Sequence, residues 1–120
     1  MNDTQLHAGP AVTDESEIER TASEIACMAG ELARESDRAR RLPDPVVAAL
    51  SDCGLLRGGA PREVDALELP PATALRCAEQ IAKGDASAGW CVSIQITSSL
   101  LAAYLSRSAR CIWSRNGLTI

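Results

Sequence analysis

Between Asp85 and Arg107 the chain carries no charged side chain, and the stretch GDASAGWCVSIQITSSLLAAYLS, from Gly84 to Ser106, holds one of the two tryptophans and the only tyrosine. A run of that composition has to be covered by something. Val92, Ile94 and Ile96 alternate as a strand would, but the apolar run continues through Leu100, Leu101, Ala102, Ala103, Tyr104 and Leu105, and its length favours a helix. Apolar groups point in nearly all directions, so this helix is expected at the centre of a bundle. The same run is long enough to cross a bilayer, with Arg107, Arg110 and Arg115 as a positive flank on one side. Against that stand Ser87, Ser93, Gln95, Thr97, Ser98, Ser99 and Ser106, whose polarity is too high for a confident span, so no membrane is expected.

The rest of the chain reads as helices that could pack on this one. Residues 1–15 are polar, contain Gly9-Pro10 and show no apolar period, which predicts a disordered leader followed by a helical domain over 16–120. Ser16 or Asp14 can cap a first helix with Ile18, Ala22, Ile25, Met28, Ala29 and Leu32 at three- and four-residue steps. Its wet face carries Glu31 and Glu35, each three residues before Arg34 and Arg38, which predicts weak ion pairs. Leu42-Pro43 ends that helix. Asp44 caps the next, with Pro45 at its first position, Val46, Val47, Ala49 and Leu50 inward, and Gly54 as its stop.

After a short segment, a Gly58-Gly59 turn and a loop to Pro70-Pro71, Pro71 opens a third helix with Ala74, Leu75, Ala78, Ile81 and Ala82 inward. Gly84 is its expected left-handed stop. Asp85 or Ser87 caps the long helix, and a last one runs from Arg107 to about Arg115 with Ser106 as cap and Ile112 and Trp113 as anchors. The expected fold is all-α, a bundle of about four to five helices.

Composition narrows the function. The 120 residues are enough for one domain. Residues 1–70 carry 14 acidic and 7 basic side chains and residues 71–120 carry 2 and 5, so no basic face is available for nucleic acid. Arg38, Arg40 and Arg41 could clamp an anion. Their plainer role is to complement the negative end of a helix dipole. Cys27, Cys53, Cys77, Cys91 and Cys111 are odd in number, widely spaced and without a CxxC pair, and the N-terminus has no apolar signal core, which together predict reduced thiols in the cytoplasm. Each cysteine is expected as a small buried hydrophobe. The single His7 lies in the leader, so no metal site is expected. Gly58-Gly59 lies in no phosphate-loop pattern.

The order of several motifs is more informative than any one of them. Arg41-Leu42-Pro43-Asp44-Pro45-Val46-Val47-Ala48-Ala49-Leu50, Cys53-Gly54-Leu55-Leu56-Arg57, Pro61-Arg62, Pro71-Ala72-Thr73-Ala74 and Ala82-Lys83-Gly84-Asp85-Ala86-Ser87-Ala88-Gly89-Trp90 together resemble the N-terminal helical domain of the acyl-CoA dehydrogenase superfamily. The match is closest to its flavin-dependent monooxygenase branch and spans roughly residues 17–115. One departure is Val64-Asp65-Ala66, where family members usually carry a Gly-Gly pair near the substrate entrance.

The resemblance implies an N-terminal helical fragment of a flavin-dependent oxidoreductase or monooxygenase. In the complete family a β-barrel-like domain and a C-terminal four-helix bundle supply most flavin contacts, the tetramer interface and the catalytic base. FAD or FMN would then serve the whole enzyme, acting on a small organic or acyl substrate. The fragment alone is expected to be inactive, to bind no flavin tightly and to offer no catalytic residue. The start of the long helix would approach the substrate cavity, which maps Ser87, Trp90, Ile94, Thr97 and Ser98 to that cavity. From the residues alone, Trp90 reads first as a core anchor between helices and Ser87 first as a cap. The alternative is a stand-alone helical interaction or oligomerisation module, forming a homo-oligomer or docking on a full-length relative through apolar surface left uncovered.

Overall fold

The longest helix begins at the front of the chain, where Asp14 caps it. The Asp14 carboxylate accepts from the Ser16 amide at 3.1 Å, and hydrogen bonds from the Ser16 side chain and then its amide hold that carboxyl below its ordinary pKa. The computed structural model describes residues 14–116, with side chains described as far as Ile112. Among them run α1 (Glu15–Glu31), α2 (Ala33–Ala39), α3 (Asp44–Asp52), α4 (Pro71–Gly84), α5 (Ala86–Leu100) and α6 (Arg107–Asn116). Short 3₁₀ turns lie at Leu55–Arg57, Arg62–Val64 and Leu101–Tyr104, and no strand occurs among the described residues. The all-α expectation is met. Most of the expected leader, residues 1–13 with His7, lies outside the described residues.

The number of helices exceeds the expected four to five because the first is divided. Leu32 departs to φ −100°, ψ 6°, two residues after Gly30, whose weak helix propensity makes that turn easy to distort. Hydrogen bonds from Leu32 to Met28 and from Ser36 to Leu32 carry across the break, so the chain kinks without leaving the helix. The ion pairs expected at Arg34 and Arg38 are not formed with described residues; Arg20 pairs with Glu24 at 2.8 Å instead. Arg38 occupies the last turn of α2 as expected, and Arg40 follows in the left-handed region at φ 56°.

α1 packs most extensively on α4, and α4 in turn packs on α5. Ile18, Ala22, Ile25 and Ala29 of α1 meet Ala74, Cys77, Ala78 and Ile81 of α4 in one buried cluster, which Val46, Leu50, Leu55, Leu56, Val92 and Ile96 complete. Two inward assignments on α4 fail: Leu75 is 69 % exposed and Ala82 is exposed, while Thr73 and Cys77 take the buried positions. The buried stripe of α4 is thus Thr73, Ala74, Cys77, Ala78 and Ile81, and small residues on both helices let the axes approach. Gly84 marks that approach. It has no positive φ, contrary to the expected left-handed stop: α4 ends as Asp85 turns to extended backbone at φ −148°, and a Cβ on Gly84 would lie 2.0 Å from the Ala26 carbonyl oxygen.

Polar bonds tie the outer end of the same interface. Arg76 donates to Glu19 at 2.7 Å and to the Thr73 hydroxyl at 3.1 Å, and Thr73 donates to Glu15. The Glu19 carboxylate raises the Arg76 pKa, first through that bond.

α3 begins one residue earlier than a cap at Asp44 requires: Pro43 is the cap, and Asp44 pairs with Arg41 at 2.7 Å. Gly54 ends this region at φ 79°, as expected. The loop that lacks the family's glycines nevertheless takes left-handed backbone, at Asp65 (φ 56°) and Glu68 (φ 48°). Aspartate tolerates that region and glutamate does so at a cost.

Candidate functional site

The long helix is not central. Ala88, Val92, Ile96 and Ser99, at steps of three and four, turn inward, and Gly89 packs beside them. On a helix the strand-like alternation of Val92, Ile94 and Ile96 resolves as two residues in and one out. Ile94 is 45 % exposed. The helix is anchored from below by Ser99, whose hydroxyl accepts from the Gly59 amide at 3.0 Å and donates to the Ile96 carbonyl at 2.7 Å. That contact explains the glycine pair. A Cβ on Gly59 would sit 2.5 Å from the Ile96 carbonyl oxygen, so Gly58-Gly59 is a close-approach turn against α5.

The opposite face of α5 is open. Ser87, Trp90, Ile94 and Thr97 follow one another at three- and four-residue steps, Ser98 lies four beyond Ile94, and all are exposed, Trp90 at 67 %. The core role first read for Trp90 is therefore wrong: the indole is directed away from the bundle because Ala88, Gly89 and Val92 take the inward positions of that turn. The cap role of Ser87 is also wrong. Asp85 caps α5, its carboxylate accepting from the Ser87 amide at 2.9 Å, and this leaves the Ser87 hydroxyl free of capping.

The five positions form one stripe and not one cavity. Ser87 borders a cleft of about 290 Å³ shared with Ser36, Asp37, Arg40, Arg41, Leu42 and Cys91. Thr97 borders a separate apolar groove of about 190 Å³ between α4 and α5, with Leu69, Leu75, Ile96 and Leu100 among its walls. Trp90, Ile94 and Ser98 line neither. The Thr97 hydroxyl donates to the Ser93 carbonyl at 2.8 Å and the Ser93 hydroxyl to the Gly89 carbonyl at 2.9 Å, so along the groove both spend their protons on their own helix. Sequence reasoning missed the continuation of the stripe. Leu101 (64 % exposed) follows Thr97 by four residues, and Tyr104 and Leu105 extend the apolar surface beyond it. Extending the same three- and four-residue steps from Trp90 would have found Leu101.

Titratable groups supply no acid–base pair on this face. Cys77 is buried, and burial pushes its thiol from 9.0 up to about 11. Burial likewise raises Cys53. Cys27 and Cys111 are exposed, against the expectation that every cysteine is a buried hydrophobe. Among the described residues no group of His, Cys, Asp and Glu converges as a metal site. The last helix begins as expected, with the Ser106 hydroxyl accepting from the Ala109 amide at 3.3 Å. Ile112, expected as an anchor, is 53 % exposed, and the Trp113 side chain lies outside the described residues.

The helical run from Ala86 to Tyr104 is long and apolar enough to cross a membrane by length and composition alone, and 33 % of it is buried within the bundle. That share belongs to a helix laid along a core with one side left bare.

The family model for the acyl-CoA dehydrogenase N-terminal domain matches residues 13–110, which spans α1 to α5 and the first residues of α6. The chain belongs to that family. A search of curated proteins finds no match. Within an acyl-CoA dehydrogenase N-terminal domain, the exposed stripe of α5 continues from the Asp85-Ala86-Ser87-Ala88-Gly89-Trp90 turn that carried the resemblance.

A flavin needs an enclosing set of donors and a cavity, and the α5 face offers neither by itself. It is the convex side of a helix, and Trp90 and Ile94 present flat apolar area without a facing wall. The described residues of this face do not by themselves enclose a flavin.

Proposed function

We propose that the chain is the N-terminal helical part of a flavin-dependent oxidoreductase of the acyl-CoA dehydrogenase type, nearest the monooxygenase branch, working in the cytoplasm on a small organic or acyl substrate. The observation that carries this reading is the bare α5 face. Trp90 and Ile94 expose apolar area that water penalises at about 25 cal/mol per Å². In this reading Ser87, Trp90, Ile94, Thr97 and Ser98 line the substrate side of the site once the remaining flavoenzyme domains cover them. Trp90 supplies a flat apolar wall, and Ser87 and Ser98 supply hydroxyls that no described residue engages. No residue of the chain acts as catalytic base, and FAD or FMN is held mainly by the other domains. Titrating the chain with FAD, FMN and their reduced forms is expected to give no tight stoichiometric complex. A stoichiometric yellow complex with the chain alone would overturn the division of labour.

A second reading is favoured by the same surface continued through Leu101, Tyr104 and Leu105. Here the chain is a helical interaction module that pairs with a second copy or with a full-length relative, by burial of this strip. Sedimentation across a hundredfold or so of concentration separates the two readings on their own terms, since standard interfaces bury about 800 Å² per partner and shift the equilibrium strongly. A monodisperse monomer throughout, with no binding of an apolar dye, would remove the second reading.

A further inference from the structure

The cleft at the start of α5 is polar where the rest of that helix face is apolar, and it holds two of the arginines that the sequence had left as dipole partners. Arg40 and Arg41 come from the end of α2 and Ser87 from the first turn of α5, so three charged or hydroxyl-bearing groups from two elements meet in a space of about 290 Å³. Ser36 adds an independent observation. It is 6 % exposed, its side chain lines the same cleft, and its hydroxyl makes no hydrogen bond to any described residue. Open toward the cleft, that hydroxyl is free to donate to or accept from a ligand held there.

Arg40 adds another. It sits at φ 56°, a conformation that costs a non-glycine residue about 1 kcal/mol or more, and glycine is the residue that such a helix end ordinarily uses. Arg40 lines the cleft, and strain of this kind clusters where ligands are held. Arg41 keeps one edge on Asp44 at 2.7 Å, which leaves the rest of its fork available. Asp37 also lines the cleft, so with both arginines the lining residues carry a net positive charge.

We propose that this cleft binds a phosphate group, held by the Arg40 and Arg41 guanidiniums and the hydroxyls of Ser36 and Ser87 at the N-terminal end of α5. Donors converging from α2 and from α5 suit a tetrahedral acceptor, and because the Asp85 carboxylate already caps α5, recognition falls to the arginines and hydroxyls. The proposal does not depend on the flavoenzyme reading, since the cleft is complete within this chain.

The test follows backbone amide resonances of the intact chain during titration with inorganic phosphate, with glycerol 3-phosphate and with chloride at matched ionic strength. Saturable shifts confined to residues 36–42 and 85–91 are expected with one or both phosphates and not with chloride. If the monoester saturates at lower concentration than the free ion, the natural ligand carries its phosphate on a larger body; the reverse order points to the free ion. Arg40→Gly suits the local backbone and Ser36→Ala is nearly isosteric. Each is expected to raise the half-saturation concentration about tenfold or more, the factor that about 1.4 kcal/mol of lost contact gives. Arg38→Ala, outside the cleft, is expected to leave it unchanged. Shifts that fail to saturate, that chloride reproduces, or that persist unaltered in Arg40→Gly and Ser36→Ala would overturn the site.

Discussion

The two sides of α4 treat apolar residues in opposite ways. Toward α1, small residues let the backbones meet so closely that Gly84 rests on the Ala26 carbonyl, and Glu15, Glu19, Thr73 and Arg76 close the outer end. Toward α5, the inner half of the helix is packed just as well, yet its outer half leaves Trp90, Ile94 and Leu101 in water. The first interface satisfies itself with residues of this chain. The second leaves apolar surface uncovered by any described residue, and that asymmetry is the observation on which the proposed function rests.

The comparison breaks first at its tightest point. Gly84→Val is expected to cost about 3 kcal/mol or to prevent folding, because a branched side chain must push α1 off α4, and a urea titration reads it directly. A loss below about 1 kcal/mol would mean that the two helices are not in such close contact.

Cysteine chemistry sharpens the contrast by depth. Cys27 and Cys111 are expected to react with a thiol reagent at once and Cys77 only as fast as the chain opens. The raised pKa of Cys77 sets a sign as well. The folded state favours the neutral thiol, so this group's contribution is fully present below pH 9.0 and is lost as pH rises through about 11. Unfolding midpoints measured from pH 8 upward would show a steeper decline in the parent than in Cys77→Ala, which keeps the smaller contribution of Cys53.

A smaller effect of opposite sign belongs to the loop between the Arg62–Val64 turn and α4. Glu68→Gly is expected to stabilise by about 0.5–1 kcal/mol, since glycine adopts the left-handed backbone without strain. The Arg62 pair that it removes, at 3.9 Å and exposed, is worth little. A thermal melt checks it, and a destabilised variant would mean that the carboxylate matters more than the backbone.

The smallest change is expected on the open face. Trp90→Ser should alter stability by less than about 0.5 kcal/mol, whereas Ile81→Ala, one helix away in the core, should cost about 2–4 kcal/mol. Equal costs in paired urea titrations would dissolve the distinction between the two sides.

Much of this architecture was legible in the sequence. Pro43, Gly54, Pro71 and Ser106 mark boundaries by backbone chemistry that needs no partner, and they fall within a residue or so of the observed ends. Which way a helix faces was harder to read. Leu75 and Ala82 fit an apolar period as well as Thr73 and Cys77 do, and only the close approach at Gly84 selects the second set. Trp90 was misassigned for a related reason: a large aromatic is presumed to be core, and nothing local in the sequence says that Ala88, Gly89 and Val92 occupy the inward side. The Ser36–Arg40–Ser87 cleft was least legible, because its members are separated by some fifty residues and meet only after α1, α4 and α5 have packed.

The claim that α5 presents an unfinished face is tested most directly by Trp90 fluorescence in a Trp113→Phe variant, followed from micromolar concentration upward with acrylamide as quencher. Emission typical of an indole in water, quenched readily at the lowest concentration, is the predicted result; a blue-shifted emission shielded from acrylamide at every concentration would contradict it.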